Sequence, residues 1–77
     1  MGSVNKEDYL RAIYHLMEEK DFVRSVDVAS YLNIKKPSVS EMLKTLDRDG
    51  LIDYRRYAKI SLTKKGLNSA KNLTIRH

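Results

Sequence analysis

The sequence predicts a mainly α domain with a small two-stranded β-wing, a winged helix-turn-helix. Three observations carry this. Two short helical segments, SVDVASYLN and IKKPSVSEMLKTLDRD, follow each other from Ser25 to Asp49 with only a tight turn between them. Directly behind comes LIDYRRYAKISLT, two strand-like runs flanking Arg55, Arg56 and Tyr57. Positive charge gathers on that second helix and hairpin. Residues 1–34 carry a net −2, residues 35–65 a net +5 and residues 66–77 a net +2. A helix that enters the major groove, with a wing for the backbone beside it, has this order and this charge.

The first element spans Lys6 to Lys20. Tyr9, Leu10, Ile13, Tyr14, Leu16 and Met17 recur at three- and four-residue spacings and form an apolar stripe. Asn5 is placed to cap its start, and Glu7 and Asp8 suit the positive end of the helix dipole. Lys20-Asp21 ends the pattern. Ser25 is the next N-cap candidate, with Asp27 in the first turn and Val26, Val28, Ala29 and Leu32 behind it. Asn33 suits a left-handed C-cap, and Ile34 then plugs the turn against the core. Pro37 suits the first position of a new helix, where its missing N–H is no loss. In that helix Val39, Met42, Leu43 and Leu46 face inward, and Gly50 ends it. Leu51–Tyr54 and Lys59–Leu62 read as strands joined at a hairpin tip, Arg55-Arg56-Tyr57-Ala58. Thr63 caps a last helix that carries Leu67, Ala70 and Leu73, with Ile75 after. No helix-stop signal precedes His77, so residues 1–77 read as one domain, the N-terminal part of a longer protein.

Composition narrows the function. With no cysteine there is no disulfide framework and no thiolate metal site in the chain. No apolar run reaches membrane-spanning length, and the start lacks a signal-peptide pattern. Met1-Gly2 opens like a myristoylation motif, but Lys6 stands where Ser or Thr is wanted. These features fit a cytoplasmic protein away from membranes. Little in the chain suits covalent chemistry. His15 has Glu18 and Glu19 one turn on, but no nucleophile or phosphate loop accompanies them, so the chain is not read as an enzyme.

The expected partner is double-stranded DNA. Contact candidates are Ser25, then Lys35, Lys36, Pro37, Ser38, Ser40, Glu41 and Lys44 on the reading helix, then Arg55, Arg56 and Tyr57 at the wing. Hydroxyls of Ser38 and Ser40 can bond bases or phosphates, and Pro37 offers apolar surface to a thymine methyl. Glu41 has two readings. It accepts from cytosine N4, or it pairs with Lys44 one turn on. The arginines suit phosphate contact or minor-groove insertion.

At these residues the chain resembles the N-terminal DNA-binding region of the iron- and manganese-dependent repressors, the diphtheria-toxin-repressor family. The marks are EDYLRAIYHLMEE, SVDVASYLNIKKPSVSEMLKTLDRDGLI, KISLTKKG and the closing IRH. LDRDGLI and LTKKG occur in many winged-helix regulators; the YLRAIYHL, PSVS and terminal RH pieces are more specific. The resemblance implies a cytoplasmic transcription factor, homodimeric on a palindromic operator, with Mn²⁺ or Fe²⁺ as co-repressor. It places Asp8 where the manganese-sensing branch has an aspartate ligand, and His77 where the family has a histidine ligand. Arg11 stands where that branch has a glutamate ligand. Carboxylate plus imidazole suits either ion. Two other readings stand beside this one. The first is a metal-independent regulator of the multiple-antibiotic-resistance type. The second is a winged-helix module used to bind protein.

Overall fold

The computed structural model describes residues 4–54 and 59–74. Four helices and a small sheet follow one another: α1 (Lys6–Glu19), α2 (Ser25–Leu32), α3 (Lys36–Arg48), β1 (Ile52–Asp53), β2 (Ser61–Leu62) and α4 (Lys64–Thr74). The predicted class, helices with a two-stranded antiparallel wing, is the observed one. Ile52 pairs with Leu62 and Asp53 with Ser61.

The helix α1 starts on a reciprocal cap. The Asn5 side chain accepts from the Asp8 N–H, and the Asp8 carboxylate accepts from the Asn5 N–H, both at 3.1 Å. Two orphan donors are thereby satisfied where water would otherwise have to serve. Tyr9, Leu10, Ala12, Ile13 and Leu16 are buried. Burial raises the pKa of the Tyr9 phenol above its ordinary value. Met17, expected on the stripe, is 39% exposed, because the other helices cover less of α1 than its apolar arc.

Ser25 does not cap α2. Arg24 holds the N-cap position, and the Asp27 carboxylate reaches back to accept from its N–H at 2.9 Å. A side-chain acceptor three residues on serves that donor, so Ser25 enters the helix as its first residue. Asp27 also takes the Lys20 ammonium at 2.7 Å. That bond, with the Arg24 N–H, holds its carboxyl below the ordinary carboxylate value. Of the expected α2 set, Val28 and Ala29 are buried while Val26 is exposed.

Both helices of the helix-turn-helix end in the same way. Asn33 adopts φ 57° and ψ 51°. Ile34 N–H bonds Ala29 O at 3.0 Å, and Asn33 N–H bonds Ser30 O at 3.3 Å. Gly50 repeats this at φ 77°, with Leu51 N–H to Leu46 O and Gly50 N–H to Asp47 O, each 3.0 Å. These are Schellman closures, each followed by an apolar residue that packs on the core.

The wing is anchored from both sides. Ile60 is buried, and its N–H bonds Val23 O at 2.7 Å. The α1–α2 connection thus supports β2, and Val23, which carries no periodic signal, becomes core. Thr63 begins α4 as expected: its Oγ1 donates to Gly50 O at 2.6 Å and accepts from Gly66 N–H at 3.1 Å. Gly66 then lies against Leu51. A Cβ there would meet Leu51 O at 1.8 Å. In α4 Ala70 is buried and Leu67 half-buried. The hairpin tip at residues 55–58, Ile75 and His77 lie outside the described residues.

Candidate nucleic-acid interface

The orientation of α3 is set by what it buries. Val39, Leu43 and Leu46 each expose none of their surface, and Met42 packs against the same core. At 3.6 residues per turn this turns Pro37, Glu41 and Lys44 outward. All three are exposed, as are Lys35, Lys36 and Ser38, while Ser40 is half-buried. Pro37 occupies the second helical position, one later than its missing N–H suggests, because the helix begins at Lys36. Lys35 at the N-cap has no side-chain acceptor to offer. Its carbonyl instead takes Ser38 N–H at 3.1 Å and Val39 N–H at 3.2 Å.

The predicted residues divide three ways. Lys35, Lys36, Pro37, Ser38, Ser40, Glu41 and Lys44 come together on one helix and its lead-in. Ser25 stands on the other helix of the pair, at its N-terminal end and half-buried. Arg55, Arg56 and Tyr57 lie outside the described residues. Glu41 makes no ion pair with Lys44 among the described residues; its backbone carbonyl accepts from Thr45 Oγ1 at 3.2 Å. The pairing reading of Glu41 finds no contact here, and an exposed pair of this kind contributes little stability.

A cleft of about 460 Å³ opens on one flank of α3, lined by Ser40, Lys44, Asp47 and Tyr54. Tyr54 N–H donates to Asp47 Oδ1 at 3.4 Å, which ties the exit of β1 to the helix. The sequence reading missed Asp47 and Tyr54. The spacing of positions 40, 44 and 47 puts them on one side of a helix and was the available signal.

The far end of α3 is fixed by charge. Lys6 Nζ reaches Asp49 Oδ2 at 2.8 Å, and Lys65 Nζ reaches Asp49 O at 3.3 Å. Asp49 thus joins the start of α1, the end of α3 and the start of α4. The Lys6 ammonium holds its carboxyl below the ordinary value.

The metal candidates are only partly described. Asp8 Oδ2 is occupied by the Asn5 N–H, and Oδ1 has the Arg11 guanidinium at 3.9 Å. Among the described residues no group of three or more His, Asp or Glu converges to hold an ion. One carboxylate oxygen beside a guanidinium does not fit a divalent cation on its own. His15 and Glu18 form an exposed pair at 3.7 Å, an ordinary one-turn contact on α1. No helix among the described residues is long and apolar enough to cross a membrane.

The family profile of the iron dependent repressor, N-terminal DNA binding domain, matches residues 1–60. The chain belongs to the iron-dependent repressor family. It is 39% identical over all of its 77 residues to the HTH-type transcriptional regulator MntR of Bacillus subtilis, of which it covers 54%. The chain therefore spans about half the length of the curated relatives it matches. Among solved structures it resembles the manganese regulator SloR, at 37% identity and a TM-score of 0.81. That match covers 95% of this chain and 34% of SloR. The IdeR of T. acidophilum superposes with a TM-score of 0.88 at 28% identity, over 96% of this chain and 35% of its own.

Proposed function

We propose that this chain is the DNA-binding part of a sequence-specific transcriptional regulator, a Mn²⁺- or Fe²⁺-dependent repressor of metal-homeostasis genes. It works in the cytoplasm as a homodimer on a palindromic operator. The observation that carries the DNA reading is the outward face of α3. Lys36, Ser38, Glu41 and Lys44 sit exposed on a helix whose opposite face is locked into the core, and their side chains make no bond among the described residues. Lys35 and Lys36 enter beside phosphates, and Pro37, Ser38 and Glu41 face base edges. Arg55, Arg56 and Tyr57 take the backbone from the wing, and Ser25 takes it from the start of α2.

Metal dependence is proposed for the longer protein and draws its support from the relatives, one of them the manganese regulator SloR. Asp8 and His77 are its candidate ligands in this chain. The described residues alone do not complete a site. Arg11 beside Asp8 favours a second reading, a regulator of the same fold that ignores metal.

Fluorescence anisotropy on labelled duplex from upstream of the gene separates these readings, run across a salt series with and without Mn²⁺ or Fe²⁺. Salt-steep binding is the expected result. The pair Arg55→Ala with Arg56→Ala should flatten the slope by roughly two units. Binding at low salt that is absent throughout would leave the protein-binding reading instead.

A further inference from the structure

Resting on the DNA-binding reading, we propose that the cleft between α3 and β1 seats one backbone phosphate. Lys44 supplies the charge, and Ser40 and Tyr54 supply hydroxyl donors. Ser40 is thereby a phosphate contact and not a reader of bases.

Geometry separates the two roles. At 3.6 residues per turn, Ser40 and Asp47 lie about 20° apart around α3 and Ser40 lies about 100° from Glu41. Glu41 faces straight out from the core, so a helix in the major groove aims it at the base edges. Ser40 and Asp47 face sideways, toward the strand that leaves the helix, and Lys44 stands between the two directions. Ser40 is half-buried while Pro37, Ser38 and Glu41 are exposed. A half-buried hydroxyl on the flank is shielded from the groove floor but open to the strand of DNA that walls the groove.

The chemistry of the lining fits a phosphodiester. An ammonium with two neutral hydroxyl donors neutralises one negative charge and bonds its free oxygens. Tyr54 is half-buried and packs against the core, so the residue brings little conformational freedom to the contact. Asp47 opposes this. Its carboxylate lines the same cleft, and the bond from Tyr54 N–H at 3.4 Å holds one of its oxygens on the strand. The seat therefore works below its full strength, and removing that charge while keeping the acceptor oxygen should strengthen it.

The test uses the 77-residue chain and four duplexes of differing sequence, with Kd measured by anisotropy over a salt series. Ser40→Ala and Tyr54→Phe should each weaken all four by the same factor, roughly 3- to 10-fold for a lost neutral hydrogen bond, with the salt slope unchanged. Lys44→Gln should lower the slope by about one unit. Asp47→Asn should tighten binding to every duplex. A Ser40→Ala variant that reorders the duplexes, or a Lys44→Gln variant with the wild-type slope, would overturn the phosphate seat while leaving DNA binding intact. Wild-type protein that shows no salt-dependent binding would overturn the DNA reading and the seat together. All four positions lie at the surface or its edge, and circular dichroism melts of each variant confirm that the loss is one of contact.

Discussion

Substituting Gly66 by alanine inverts the usual effect of that change. In an exposed helix interior, alanine is favoured over glycine by about 1 kcal/mol. At position 66 the new Cβ would stand 1.8 Å from Leu51 O and 2.9 Å from Leu51 C. Both are backbone atoms, so no rotamer relieves the overlap. Leu51 must move, yet its carbonyl accepts from Thr63 N–H at 3.1 Å and its N–H closes the end of α3. Thr63 in turn holds Gly50 O and Gly66 N–H. Overpacking of this kind typically costs about 1–3 kcal/mol, and a loosened hydrogen bond adds about 1 kcal/mol. Set against the propensity gain, the net is a loss of about 2 kcal/mol. For a domain of this size that is a fall in Tm on the order of 10 °C. Thermal and urea unfolding followed by circular dichroism give the value. Gly50→Ala is the control, since nothing lies within 4 Å of its Cβ and only the positive φ of 77° opposes it. It should lose about 1 kcal/mol. A Gly66→Ala variant as stable as the wild type would refute the close packing of α4 on Leu51.

Other changes test the caps and charges. Asn5→Ala removes half of the reciprocal cap of α1 and should lower stability by about 1 kcal/mol in urea titration. Asp27 has a folded pKa below its unfolded value of 3.8, so its contribution is present above that value and lost as pH falls through the folded one. Asp27→Asn should therefore narrow the gap in urea midpoint between pH 6 and pH 2.5; an unchanged gap would mean that the Lys20 bond does not hold in solution. Glu41→Ala should change which duplexes bind best in a selection from a random library, with the salt slope little altered. A retained preference would place the reading face elsewhere.

Much of the frame was legible because it rests on local rules. Asn33 and Gly50 announce left-handed closures, Thr63 announces a cap, and the Val39–Leu43–Leu46 spacing announces the buried side of α3. What escaped depends on contacts across the fold. Val23 becomes core only because Ile60 bonds to its carbonyl. Gly66 is required only because Leu51 passes beside it. The N-cap of α2 shifts from Ser25 to Arg24 because Asp27, not a preceding hydroxyl, serves the first donor. At the candidate site, charge and hydroxyls pointed to α3, and the structure places those residues together on that helix and its lead-in. The division between its outward face and its flank did not show, since it is set by where β1 leaves the helix. Tyr54 went unread for the same reason, whereas Asp47 was open to the 40–44–47 helical spacing.

The side chains of Lys36, Ser38, Glu41 and Lys44 take no part in any hydrogen bond or ion pair among the described residues. The inner face of α3, its backbone closures and the side-chain bonds of Asp47 and Asp49 at its far end hold it in place. On the proposed DNA reading, stability and recognition are thus written in separate letters of the same helix. Mutation at the outward positions can drift without first finding a compensating change in the core, and on that reading the domain can be retargeted to a new operator.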